Sequence, residues 1–263
     1  QKLNKDIKLI KGLIETRILA SEKNLILPLP NVELEITNHC NSSCVICPRS
    51  KLSRKKGFIS EYTFNILINE LKELPVNEVE ICGVGEPLLH KNVAEYIKRL
   101  KSIGIKRVKM TTNASLLSKD KAKELVESGL DSIAISFHTI DPLKYSRMMK
   151  GLSYHDVLKN IKNFINRYKN DVEVLITCVV SKDNFKEIEE FKGFWKELSV
   201  DNIYFQNIQS RAGNLCATEN PTRKYKCPVL EQGLFISFEG KYLSCSNDFS
   251  GESSWASINE MNL

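Results

Sequence analysis

Apolar positions along this chain change period repeatedly, from the two-residue spacing of a strand to the 3.6-residue spacing of a helix. Leu3, Ile7, Ile10, Ile14 and Ile18 predict a leading amphipathic helix over residues 3 to 18. After Pro28 and Pro30, Val32 to Thr37 alternates as a strand should. Ser60 then offers an N-cap to a helix with Phe64, Leu67, Ile68 and Leu71 on one face, stopping at Pro75, and Val76 to Ile81 reads as the next strand. A third unit has Val93, Tyr96, Ile97 and Leu100, a turn at Gly104 and a strand Arg107 to Thr111. The fourth has Ser118 as cap, Ala122, Leu125 and Val126 inward, Gly129 as stop and a strand Ser132 to Ser136. Asp141-Pro142 begins a short helical stretch, and Ser153-x-x-Asp156 opens a helix carrying Val157, Ile161, Phe164, Ile165 and Tyr168. A strand at Val172 to Val180 follows. Asn184-x-x-Glu187 is the expected opening of a helix burying Ile188, Phe191 and Trp195, before a sixth strand at Ile203 to Phe205.

Strands alternating six times with helices imply parallel pairing in an α/β fold, because a helix is the crossover that parallel neighbours need. The 263 residues, 42% of them hydrophobic, suffice for one large core with a small appendix. A net charge of +6 is mild and does not by itself argue for a nucleic-acid partner. No apolar run approaches the length of a membrane span, and Lys2, Lys5, Asp6, Lys8 and Lys11 interrupt the first apolar pattern, so neither a span nor a secretory signal is expected. Those features and the cysteine usage point to the cytoplasm.

The chemistry concentrates in Cys40-Asn41-Ser42-Ser43-Cys44-Val45-Ile46-Cys47, a C-x3-C-x2-C loop directly after the first strand. Three thiolates this close suit an iron–sulfur cluster whose fourth iron has no protein ligand, leaving one position open for chemistry. A tetrahedral zinc site wants four nitrogen or sulfur ligands, and no fourth lies within the loop. Three buried free cysteines fit poorly, since Asn41, Ser42, Ser43, Pro48 and Arg49 are residues of an exposed loop.

With Gly85-Glu86-Pro87 at the end of the second strand, this loop resembles that of the radical S-adenosylmethionine (radical SAM) superfamily, in particular its SPASM/twitch-containing group. The resemblance implies a partial (β/α)6 barrel and a 4Fe–4S cluster on Cys40, Cys44 and Cys47. It further implies S-adenosylmethionine as co-substrate, cleaved reductively to a 5′-deoxyadenosyl radical that takes a hydrogen atom from the substrate, with a flavodoxin- or ferredoxin-type electron donor. Val84-Gly85-Glu86-Pro87 occupies the family's Gly-Gly-Glu-Pro position, departing from it at Val84, and Glu86 would bind the amino group of the methionine moiety. Thr112-Asn113 matches the family's Thr-Asn after strand three. Ser136, with His138 nearby, fits the position contacting ribose and carboxylate. His138 also has a structural reading, and Arg147 ranks below both. Ile46 stands where many members carry an aromatic residue against adenine, and would offer an apolar wall. In such a barrel, active residues belong on loops leaving the strand C-termini. The cysteine loop, Glu86, Thr112, Asn113, Ser136, His138, Ser181, Gln206, Asn207, Gln209 and Arg211 all fall there.

Arg49, Lys51, Arg54, Lys55 and Lys56 follow the cysteine loop with no acid before Gly57. They read as a solvated loop, or as a lure for an anionic substrate or acidic peptide. Cys82 and Cys178 lie at or within strands and are expected in the core.

Cys227, the strand-like Leu234 to Phe238, a turn at Glu239-Gly240, a second strand Lys241 to Ser244 and Cys245 form an expected hairpin. This resembles the start of a SPASM or twitch extension, which holds auxiliary 4Fe–4S clusters, with Cys227 and Cys245 as ligands. The cysteine pair that completes such sites does not follow Cys245. Either the sequence stops short of it, with Ser257 to Glu260 as the start of the family's linking helix, or Cys216 and another group complete the site, or no auxiliary cluster exists. Cys216 has a second reading as a hydrogen-atom donor to a substrate radical, and a third as a free loop cysteine. The expected organisation is a leading helix and linker at 1–31, a partial barrel at 32–210 and a SPASM/twitch-like region at 211–263.

Two substrate classes compete. One is a ribosomally made peptide receiving a thioether, an epimerised centre or a crosslink; the other is a small sugar-like metabolite, dehydrogenated or epimerised. The 31 residues before the first strand are few for a peptide-recognition domain, whereas the basic loop favours a peptide. A non-catalytic iron–sulfur or zinc protein is disfavoured by Glu86 and the polar rim. A tRNA-modifying enzyme lacks an added RNA-binding module here.

Overall fold

The computed structural model describes residues 31–208, 215, 233–254 and 256–259. The leading helix, Gln209, Arg211, Cys216 and Cys227 lie outside the described residues.

Among the described residues nine strands form one sheet in the order β6-β5-β4-β3-β2-β1-β7-β8-β9. The strands are β1 (Asn31–Leu34), β2 (Glu78–Ile81), β3 (Arg107–Thr112), β4 (Ser132–Ser136), β5 (Glu173–Val180), β6 (Asn202–Asn207), β7 (Gly233–Ile236), β8 (Lys241–Leu243) and β9 (Ala256–Ser257). Every pairing from β6 through β1 to β7 is parallel. The crossovers between β1 and β6 carry α1 (Glu61–Glu73), α2 (Val93–Ser102), α3 (Lys119–Glu127), α4 (Pro142–Met148), α5 (Tyr154–Tyr168) and α6 (Ile188–Glu197). The parallel pairing follows the alternation of periods, and the arrangement is the partial (β/α)6 barrel that the resemblance implies.

Burial explains why these segments form these elements. Phe64, Leu67, Ile68 and Leu71 of α1, and Val93, Tyr96, Ile97 and Leu100 of α2, are all buried against the alternating inward residues of β1 to β5. Removing these side chains from water is the main term holding helices to sheet, at about 1.5–3 kcal/mol for each large apolar residue. Ser60, Ser118 and Ser153 cap α1, α3 and α5 by accepting from the N–H three residues on. Gly104 and Gly129, with φ of 93° and 89°, turn the chain where α2 and α3 stop.

Two expectations need correction. Asn184 does not cap α6: its side chain accepts from Ser181 N at 2.7 Å and donates to the carbonyls of His138 at 2.6 Å and Val179 at 2.9 Å. The helix therefore begins only at Ile188. Residues 257–258 do not begin a helix, because Ser257 pairs in β9 with β8 and Ile258 N donates to Gly240 O at 2.7 Å. The C-terminal hairpin was expected as a small appendix, and it joins the barrel's own sheet. β7 adds to the β1 edge in register from Asn31↔Gly233 to Leu34↔Ile236, covering backbone groups that an edge strand would expose. Among the described residues no helix is long and apolar enough to cross a membrane.

Candidate active site

The Cys40–Cys47 loop leaves the C-terminal end of β1 and is fastened on three sides. Beneath it, Glu86 N donates to His39 O at 2.7 Å. Gly85 lies so close that a Cβ there would sit 2.2 Å from Thr37 O and 2.6 Å from His39 O, so no larger residue fits. On one flank, Asn41 donates to Ser115 Oγ at 2.8 Å and accepts from Asn113 Nδ2 at 3.0 Å. On the other, Ser43 N and Val45 N donate to the carbonyls of Lys150 and Met148 at 2.8 and 2.9 Å, so the end of α4 and the turn after it grip the loop on either side of Cys44. Arg49 returns to donate to Ser42 O.

Within the loop, Ser42 Oγ lies 3.2 Å from Cys40 Sγ and 3.4 Å from Cys44 Sγ. Burial pushes the Cys44 thiol above its usual range, and the neighbouring sulfurs of Cys40 and Cys47 add to this against the Ser42 hydrogen bond. Thiolates crowded in a half-buried loop repel one another and need a cation among them, so this donor set fits an iron–sulfur cluster. Among the described residues no three His, Cys, Asp or Glu side chains close on a single metal-ion position. A cuboidal cluster asks for something else, one thiolate on each of three irons.

Glu86 sits 2% exposed behind the loop. Its Oε1 accepts from Thr112 Oγ1 at 2.6 Å and Leu88 N at 3.1 Å, and its Oε2 from Asn113 N at 2.8 Å. Burial pushes the carboxyl up despite these three donors. The carboxylate thus ties the end of β2 to the end of β3, and the sequence-predicted Gly85, Glu86, Thr112 and Asn113 form one connected group under the cysteines. Ser136 Oγ lies 3.4 Å from Thr177 Oγ1, partly open at the end of β4. His138 is fully enclosed: Nδ1 accepts from Val179 N at 3.2 Å, and burial pushes its pKa down to about 4. It is neutral and ties β4 to β5, which favours its structural reading. Ile46 is half-buried in the loop, and Arg147 is exposed on α4.

Cys178 is buried, with its pKa pushed up to about 12, as expected of a core position, whereas Cys82 is only half-buried and turns its thiol to Glu33 Oε2 at 3.6 Å, so it is not part of the core. Cys245 follows β8, which runs antiparallel to β7, so it leaves the hairpin at the end opposite the Cys40–Cys47 loop.

The basic run is not uniformly solvated. Lys51, Lys55 and Lys56 are exposed, but the Arg54 side chain is 6% exposed and makes a two-pronged ion pair with Glu35, itself 7% exposed, at 2.9 Å on both prongs. Sequence reasoning missed Glu35 because it sits in alternation with Glu33, as an outward residue would. It missed Tyr145 too: this α4 residue is buried beside Cys44 and its hydroxyl has no partner among the described residues. A tyrosine at a helical core position carries no sequence mark of that.

Residues 34–194 match the model of the Radical SAM superfamily. The chain belongs to the radical SAM superfamily. Members of this superfamily are enzymes that use a 4Fe–4S cluster and S-adenosylmethionine. Curated relatives include a "Probable GTP 3′,8-cyclase" of Sulfolobus acidocaldarius, 31% identical over 178 residues, or 67% of this chain and 55% of that protein. Another of the same name, from Methanothermobacter thermautotrophicus, is 31% identical over 138 residues, covering 52% of this chain and 43% of that one. The chain thus spans about half the length of these relatives.

Similar solved structures include Streptococcus suis SuiB bound to the precursor peptide SuiA (TM-score 0.75, 17% identity, 95% of this chain and 67% of that one). Others are anSMEcpe with bound AdoMet (0.69, 15%, 89% and 76%) and BtrN in complex with AdoMet and 2-DOIA (0.61, 19%, 89% and 79%). At these identities the likeness is one of radical SAM fold.

Proposed function

We propose that this chain forms the core of an enzyme that cleaves S-adenosylmethionine reductively and uses the radical to take a hydrogen atom from a peptide substrate. The observation that carries the reading is the fastening of the three-cysteine loop onto Gly85, Glu86 and Asn113 at one rim of the barrel. Cys40, Cys44 and Cys47 would hold the cluster, which when bound supplies the electron that breaks the sulfonium's carbon–sulfur bond.

The chain's own residues hold and orient. The turn around Gly85 and the Thr112–Asn113 segment offer backbone groups to the amino-acid end of S-adenosylmethionine, and Glu86, whose oxygens are taken up by the chain's own donors, sets that segment from behind. Ser136 offers a hydroxyl on the far side, and Ile46 an apolar wall. His138 serves as a fixed strut. Cys216, as a hydrogen-atom donor, and Cys227 with Cys245, as ligands of an auxiliary cluster in a SPASM/twitch-like region, complete the proposal. A flavodoxin- or ferredoxin-type protein would deliver the electron.

Support for a peptide comes from the SuiB–SuiA complex and from anSMEcpe with its Kp18Cys peptide, both sharing this fold. A second reading, a small metabolite or nucleotide, is supported by the names of the 31% identical relatives and by BtrN with 2-DOIA. Deuterium transfer separates them. Reconstituted protein is given S-adenosylmethionine with either a deuterated mixed-peptide digest or deuterated GTP. Deuterium in 5′-deoxyadenosine from the peptides supports the first reading, and deuterium from GTP alone replaces it with the second.

A further inference from the structure

The Arg54–Glu35 pair is too deeply buried to be a surface ornament. Withdrawing two charges from water costs several kcal/mol per ion, and a pair in this position stabilises a fold only when its remaining hydrogen-bonding groups are also satisfied. Here they are. Glu35 Oε2 accepts from Val84 N at 3.2 Å as well as from Arg54, and Oε1 from Phe238 N at 3.5 Å. Arg54 Nε donates to Phe249 O at 3.3 Å, and its guanidinium lies 5.9 Å from the centre of the Phe238 ring.

Two glycines mark how closely the backbone is drawn onto the pair. A Cβ at Gly83, where φ is 132°, would lie 2.8 Å from Glu35 Cβ; one at Gly251, where φ is 73°, would lie 2.8 Å from Arg54 Cδ. The pair therefore joins four segments: the end of β1, the tail of the cysteine loop, the turn after β2, and the hairpin with its following loop. Val84 is the peptide between the Glu35 anchor and Gly85, which itself rests on Thr37 and His39. The hairpin and its loop lie beyond the residues 34–194 that match the family.

We propose that Arg54 and Glu35 are positioning residues for the Gly83–Glu86 turn, through which the C-terminal hairpin sets the site for S-adenosylmethionine. The proposal rests on the function proposed above. A carboxylate gripped bidentately has one orientation, so the Val84 N–H has one place to be. Losing either partner frees the turn and also uncouples it from residues 238–251.

The test uses the anaerobically reconstituted full chain with Arg54→Met, Arg54→Lys and Glu35→Gln, and Ile97→Val as a remote core truncation that lowers melting temperature alone. Affinity for S-adenosylmethionine is read by equilibrium dialysis, at matched iron content. The expected result is roughly tenfold weaker binding in Arg54→Met and Glu35→Gln, an intermediate loss in Arg54→Lys, which keeps the charge but not the fork, and no change in Ile97→Val. Affinity within twofold of the parent in Arg54→Met and Glu35→Gln overturns the proposal, whatever happens to melting. Hydrogen exchange on the iron-free proteins decides independently of iron loading. Arg54→Met should speed exchange at Val84 and Glu86 relative to Ile97→Val, and equal rates overturn the proposal. If the parent itself fails to bind S-adenosylmethionine, the functional reading falls, while the exchange comparison still judges the joint.

Discussion

Replacing Gly85 by alanine tests the contact on which the site is built. The added Cβ would meet Thr37 O at 2.2 Å and His39 O at 2.6 Å, both backbone atoms leading into the cysteine loop, more than an ångström short of ordinary contact with the first. No side-chain rotation relieves this, so the turn and the loop must part. The bond from Glu86 N to His39 O, 2.7 Å long, is the first to break. Overpacking costs about 1–3 kcal/mol, and a buried backbone group left unpaired costs about 1–3 kcal/mol more. The expected destabilisation is therefore about 2–6 kcal/mol, a large part of the roughly 5–15 kcal/mol that holds a domain folded. Urea unfolding of the iron-free protein measures it, and iron bound per chain after reconstitution reports whether the loop still assembles. Gly193→Ala is the control. Gly193 sits within α6 with none of the described residues within 4 Å of its Cβ position, so alanine should stabilise by about 0.5–1 kcal/mol. A Gly85→Ala protein as stable as the parent, with a full complement of iron, would show that the turn and the cysteine loop do not depend on this contact.

His138 has a folded-state pKa of about 4 against 6.5 for a free imidazole. Between those values the unfolded chain binds a proton that the folded one refuses, so stability should fall by up to about 3 kcal/mol as pH drops from 6.5 to 4. Denaturant titrations should show that loss reduced in His138→Asn, whose side-chain oxygen can still accept from Val179 N; an equal loss in both proteins assigns the pH dependence elsewhere. Glu86→Gln places an amide N–H₂ against Thr112 or Asn113, whose donors need an acceptor, and should cost about 1–3 kcal/mol in unfolding free energy; a neutral outcome would show that those donors find other partners. Tyr145→Phe removes a buried hydroxyl without a partner among the described residues, so the iron-free protein should be no less stable, and a loss above about 1 kcal/mol by urea unfolding would reveal a partner for the hydroxyl.

The barrel was legible because its signals are local. Ser60, Ser118 and Ser153 cap the helices they were expected to cap, and Val93, Tyr96, Ile97 and Leu100 bury the face that their spacing defines. Asn184 misled because capping is a competition: its side chain found the carbonyls of His138 and Val179, offered by strand ends that local sequence does not reveal. The three cysteines and Glu86 were legible as a spacing and a motif. Their mutual support was not, since the pairs Asn41 with Ser115, Glu86 with Thr112 and Asn113, and Arg54 with Glu35 span 19 to 74 residues of sequence. The hairpin was read from its turn at Glu239-Gly240, but its docking on β1 depends on which strand edge is free, a property of the whole sheet.

The measurement that bears most directly on the central claim is anaerobic reconstitution with iron and sulfide, followed by reduction and an assay for 5′-deoxyadenosine from S-adenosylmethionine. About four irons per chain are expected on the first loop, or about eight if an auxiliary cluster forms, with cleavage abolished in Cys44→Ala. One tightly bound zinc per chain and no 5′-deoxyadenosine would rule out radical chemistry at this loop.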